Sequence, residues 1–201
     1  MFTNKFQEWV RAGARRLVPG LRLLGITPNA LTLVGLAVTA LSAVLIGAGF
    51  LAAGGVVLLI AGGFDILDGA VARVTGKVYR YGAFLDSTSD RYNEAFTYVA
   101  LLYFFLFAGD RHNLEAMLII AALTGSLLVS YVRARAQSLG FVCDGGILAR
   151  PERVIITVLG LLVAPLLVPL LWVLAVLTNV TALQRIYLVW RQSRPVPAGS
   201  P

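Results

Sequence analysis

Asp65, Asp68, Asp86 and Asp90 stand together in one stretch, DILDGAVARVTGKVYRYGAFLDSTSD, of a chain that is otherwise strongly apolar. The first two are three residues apart and the second two are four apart, so on helices each pair shares one face. Carboxylates are costly near lipid, and four held together cannot all stay ionised unless positive charge lies among them. Oxygen-only donors suit Mg²⁺, Mn²⁺ or Ca²⁺, and no His or Cys stands in the stretch to favour zinc. A pair of such ions is the arrangement that grips a diphosphate and stabilises both entering and leaving oxygens in phosphoryl-type displacement. Gly69 leaves space for a phosphate or nucleotide against the helix backbone, and the fork of Arg73 matches phosphate oxygens. Two other readings compete: neutralisation of the acids by Arg73 and Arg91 in buried ion pairs, and transport of a divalent cation or proton. Transport sites tend to lie at the midplane on broken helices, whereas Asp90 is only about 12 Å along its helix from Gly82.

The elements that must position these acids are membrane helices. Of the 201 residues, 58% are hydrophobic, well beyond an ordinary soluble domain. Six apolar tracts read as transmembrane helices: Leu31–Phe50, Leu51–Val71, Ala83–Ala108, Leu114–Val132, Val154–Pro169 and Leu170–Trp190, with short outer loops at Gly47–Gly55 and Ala164–Pro169. With both termini cytoplasmic, every Lys and Arg except Arg111 falls on the inner side. The active face is then cytoplasmic, at the inner membrane. The same asymmetry accounts for the net charge of +7 through anionic lipid headgroups and gives no ground for a nucleic-acid partner. The lone Cys143 has no partner for an internal disulfide, which agrees with a reducing compartment. The first 22 residues carry six charges and no apolar core, so no cleavable signal is expected. Instead Phe2–Leu24 has the pattern of an amphipathic helix lying along the membrane surface until Pro19 interrupts it. Thr27-Pro28-Asn29 reads as a turn, with Asn29 capping the first span. Small residues at Gly47–Gly55, Gly62–Gly63 and Gly69–Ala72 predict close helix packing. The tail Pro195–Pro201 reads as disordered, and residues 1–201 count as one domain.

A second basic group, SYVRARAQSLGFVCDGGILARPERV, follows the fourth span. Arg133, Arg135, Arg150 and Arg153 are expected to converge with Arg185 at the inner end of the last span, where guanidinium forks suit a phosphate monoester. The alternative is orientation by the positive-inside rule with snorkelling to headgroups. His112, beside Asp110 and Arg111, reads as a solvated loop residue, and Glu94, one turn beyond Asp90, as an ion-pair partner rather than a further ligand. Trp172, Tyr187 and Trp190, like Phe104, Phe105 and Phe107, read as interfacial aromatics.

The positions Asp65, Asp68, Gly69, Ala72, Arg73, Gly82, Asp86 and Asp90 spell D-x2-D-G-x2-A-R-x8-G-x3-D-x3-D. This pattern resembles the signature of the CDP-alcohol phosphotransferases at every fixed position. The resemblance implies six spans, an N-terminal surface helix, a homodimer, and a metal-dependent enzyme that displaces CMP from a CDP-linked lipid with an alcohol. It further implies two Mg²⁺ ions, with Mn²⁺ a possible substitute, held by Asp65, Asp68, Asp86 and Asp90. Asp90 would be the general base; Gly69, Arg73, Asp68, Gly82, Asn29 and Thr32 would bind the CDP-lipid. The basic group is similar to that of bacterial phosphatidylinositol-phosphate synthases. From that likeness, CDP-diacylglycerol or a related CDP-lipid is the donor and inositol 1-phosphate the acceptor, its phosphate bound by Arg133, Arg150, Arg153 and Arg185. Arg133 stands where a lysine is the expectation, and glycerol 3-phosphate is the rival acceptor.

Overall fold

A computed structural model describes residues 27–75, 79–107 and 113–194. The surface helix read at Phe2–Leu24, the tail Pro195–Pro201, and Gly76, Lys77, Asp110, Arg111 and His112 lie outside the described residues. The described chain is helical: α1 Pro28–Gly47, α2 Leu51–Thr75, α3 Arg80–Phe107, α4 Asn113–Ser138, α5 Arg150–Leu162 and α6 Ala164–Gln192. Among the described residues, four helices are long and apolar enough to cross a membrane: α1, residues 51–73 of α2, α4 and α6. α3 has the length but carries Asp86, Asp90, Arg91 and Glu94, and the 13 residues of α5 reach only about 20 Å. Large side chains such as Val44, Met117 and Leu183 are exposed, as a lipid-facing surface requires.

The chain divides into two compact units, one up to Phe104 and one from Phe105. In the first, Thr27 rather than Asn29 caps α1: its backbone is extended, its hydroxyl accepts the Ala30 amide at 3.2 Å, and Pro28 sits where a helix needs no N–H. Asn29 is thereby placed inside the first turn. A three-residue turn ends α1, where Gly49 takes φ +88°, a conformation costly for any residue with a Cβ. α2 then runs back along α1. Ser42 donates to the Gly54 carbonyl at 2.7 Å, Gly35 lies against Phe64 and Asp65, and Thr32 meets Asp68. A Cβ on Gly54 would strike Ile46 and the Ser42 carbonyl, so glycine there sets the helix separation. α3 runs parallel to α1, with Gly82 near Asn29 at one end and Tyr103 near Gly47 at the other. Leu31, Ala70 and Val71 form a small core, with Phe64 and Leu67 packed on it.

In the second unit α4 and α6 run parallel. Gly125 lies under Thr178 and Asn179, and Asn179 donates to the Ala121 carbonyl at 3.0 Å. α5 folds back on α6, with Gly160 against Leu167. The break between them falls at Val163, so residues 164–169 are the opening turns of α6 rather than the expected loop. Pro165 ends the run because it cannot donate to a helix arriving from α5, yet suits the start of α6; Pro169, also near that start, is accommodated within the helix.

Candidate active site

The acids of the first unit lie on α2 and α3, and the polar start of α1 faces them. Asp68 is 4% exposed. Its Oδ2 accepts the Thr32 hydroxyl at 2.6 Å, and the Gly69 amide adds a second neutral donor. The charges of Asp86 and Asp65 both act on it. Asp65 Oδ1 lies against Gly35 of α1, and Asp86 is half-buried. Asp90 Oδ2 lies 3.5 Å from the guanidinium of neighbouring Arg91. The Arg73 guanidinium folds back over Gly69, Nη1 being 3.5 Å from where a Cβ would be. Asn29 Oδ1 likewise approaches Gly82, where a Cβ would be only 3.2 Å away. Glycines 69 and 82 thus serve close approach by polar side chains.

The four carboxylates do not close on a single point. Among the described residues no three His, Cys, Asp or Glu stand in metal-holding geometry. Asp68 Oδ2 is turned toward α1 by Thr32, and Asp90 is turned toward Arg91. The donor set still fits a hard divalent cation. A buried carboxylate with only neutral hydrogen-bond donors and two further carboxylates acting on it calls for positive charge, and every donor is oxygen.

The second unit gathers the arginines around a loop, residues 139–149. Arg185 of α6 is 5% exposed. It donates through Nη1 to the Val129 carbonyl at 2.6 Å and through Nε to the Gly145 carbonyl at 2.8 Å. Arg153, also buried, donates to the Leu148 carbonyl at 3.3 Å. The charges of Arg133 and Arg153 both act on Arg185, as does that of Asp144. The loop reaches this position because Gly146 takes φ +140° and passes close to Thr181 and Arg185, which a side chain would obstruct. Arg150 opens α5 and is half-buried, while Arg135 turns to Ser138 on the exposed end of α4. Sequence reasoning passed over Asp144, whose carboxylate meets Arg133 at 2.7 Å, and Thr181, whose hydroxyl receives the Leu148 amide at 3.2 Å. Asp144 is the only charged residue of residues 139–149, with arginines on both sides of them in the sequence, and that was the available signal.

The family model described as CDP-alcohol phosphatidyltransferase matches residues 25–191. The chain belongs to this family. Among its relatives, a phosphatidylinositol phosphate synthase of Mycobacterium marinum is 38% identical over 183 residues, covering 87% of this chain and 78% of that protein. An archaetidylinositol phosphate synthase of Methanothermobacter thermautotrophicus is 36% identical over 94% of both chains. The fold is similar to that of the phosphatidylinositol phosphate synthase of Mycobacterium tuberculosis with CDP-DAG bound. That likeness has a TM-score of 0.84 at 33% identity, over 94% of this chain and 98% of the other. The same mycobacterial protein has been solved in complex with manganese and citrate. As a CDP-alcohol phosphatidyltransferase, the chain is a membrane-embedded transferase, and its aspartate motif and arginine loop both fall within the matched residues.

Proposed function

We propose that this enzyme transfers a phosphatidyl group from CDP-diacylglycerol, or an ether-linked counterpart, to inositol 1-phosphate and releases CMP. The observation that carries the acceptor is the gathering of Arg133 and Arg153 around Arg185, since forked guanidiniums suit a phosphate monoester. Family membership and the relatives named above support the donor and the reaction.

In this reading Asp65, Asp68, Asp86 and Asp90 hold two Mg²⁺ ions, replaceable by Mn²⁺, which when bound neutralise the donor diphosphate and the charge that develops as CMP departs. Arg73, over Gly69, meets phosphate oxygens, and Asn29, Thr32 and Gly82 line the path of the cytidine end. Arg133, Arg150, Arg153 and Arg185 hold the acceptor phosphate. Asp90 takes the hydroxyl proton as the new oxygen–phosphorus bond forms and the bond to CMP breaks, help typically worth about 10²–10⁴-fold. Residues 1–201 act as one domain with six spans, a surface helix and both termini in the cytoplasm. The active face opens to the cytoplasm at the cell membrane, and the chain works as a homodimer.

The test is CMP release from radiolabelled CDP-diacylglycerol by purified protein with Mg²⁺. Inositol 1-phosphate should support turnover and glycerol 3-phosphate should not; turnover with glycerol 3-phosphate alone would replace the acceptor.

A further inference from the structure

Three of the guanidiniums around the loop, those of Arg133, Arg153 and Arg185, differ in what holds them. Arg185 is bound by backbone carbonyls of Val129 and Gly145, and Arg153 donates to that of Leu148. These are parts of the fold itself. Arg133 instead meets a side-chain anion: its Nη2 lies 2.7 Å from Asp144 Oδ1, with both side chains well exposed, at 49% and 66%. A carboxylate presented edge-on to a guanidinium makes the same charge-assisted contact as a phosphate oxygen. The loop does not depend on that contact. Gln192 donates to the Val142 carbonyl at 2.7 Å and accepts the Val142 amide at 3.1 Å, Arg185 holds Gly145, and Thr181 and Arg153 hold both polar groups of Leu148. Asp144 therefore sits on a loop anchored on both sides of it, making a contact that is free to exchange.

We propose that Asp144 is an internal stand-in for the acceptor's phosphate, a positioning residue that occupies Arg133 until a phosphate monoester displaces it and that reclaims Arg133 when the phosphorylated product leaves. The proposal rests on the acceptor reading above and names a residue which that reading does not use. A dianion outcompetes a single carboxylate for the fork, so the exchange favours entry of a phosphorylated alcohol while weakening its hold. An exposed pair of good geometry shifts such a competition only modestly, by about two- to five-fold.

Asp144→Asn should lower KM for inositol 1-phosphate by about two- to five-fold and strengthen inhibition by inorganic phosphate by the same factor. KM for the CDP-lipid should not move. Asp144→Glu should restore both values toward those of the parent. Arg133→Gln separates the two layers of the argument. If it raises KM for inositol 1-phosphate while Asp144→Asn leaves that KM unchanged or raises it, the acceptor site stands and the exchange is refuted. If Arg133→Gln leaves KM unchanged, the acceptor reading at Arg133 falls, and the exchange with it. Thermal unfolding of Asp144→Asn in detergent should match the parent; a large loss would make the pair a structural clasp and overturn the proposal.

Discussion

The contact between Thr32 and Asp68 offers a sharp test of how the acidic site is organised. The Thr32 hydroxyl has one proton and two acceptors within reach, the Pro28 carbonyl at 3.1 Å and Asp68 Oδ2 at 2.6 Å. The shorter, charged acceptor takes it, which fixes one carboxylate oxygen and leaves the other aimed by default. Thr32→Val keeps the shape and removes the donor. A hydrogen bond to a charged group contributes about 1.5–3 kcal/mol, and losing it in a site this buried corresponds to roughly 10- to 150-fold in whatever equilibrium the carboxylate serves. Loss of a residue that orients a metal ligand typically costs about 10- to 100-fold in metal affinity or activity, the same range reached independently. Titration of activity against Mg²⁺ should therefore show a rise in the concentration giving half activity of at least ten-fold in Thr32→Val, with Thr32→Ser close to the parent. Binding of Mn²⁺ followed by paramagnetic broadening would report the same shift without turnover. An unchanged metal titration in Thr32→Val, with the fold intact, would refute the view that Thr32 aims Asp68.

Asp90→Asn should reduce turnover by about 10²–10⁴-fold while leaving binding of the CDP-lipid largely intact, measured by equilibrium binding beside single-turnover release of CMP. Chelation with EDTA should abolish activity, and Mg²⁺ or Mn²⁺ should restore it while Zn²⁺ does not. Arg185→Lys should lower stability by about 2–4 kcal/mol, seen in thermal unfolding, because an ammonium cannot reach both the Val129 and Gly145 carbonyls that the fork satisfies. Gly54→Ala should destabilise the first unit by about 1–3 kcal/mol, since its Cβ would strike Ile46 and the Ser42 carbonyl where α1 and α2 pack closest.

The amino-acid order by itself determined the helical class, the register of Asp65 with Asp68 and of Asp86 with Asp90, and the start of α1 near Pro28. Each follows from local physics: apolar runs that demand internally satisfied backbone, the 3.6-residue period, and the restricted φ of proline. The family signature was legible for the same reason, because its eight positions are defined by spacing along two helices. Local reasoning reached its limit where two elements compete for one residue. Asn29 was the expected cap, yet Thr27 holds that place and frees Asn29 to approach Gly82. Pro169 marked the expected end of a span, but Pro165 comes first and fixes the break at Val163.

Tertiary structure alone decided which groups meet. That Asp68 is the most deeply buried of the four aspartates, and that Thr32 is its donor, depends on α2 running back along α1 through the glycine contacts at 35 and 54. That Arg153 and Arg185 are embedded in the fold while Arg133 is held by Asp144 depends on the path of residues 139–149 over α6. Spacing along one helix is written in the covalent chain. Contacts between helices depend on how closely backbones approach and which way a loop turns, and these are settled by packing across residues far apart in the chain.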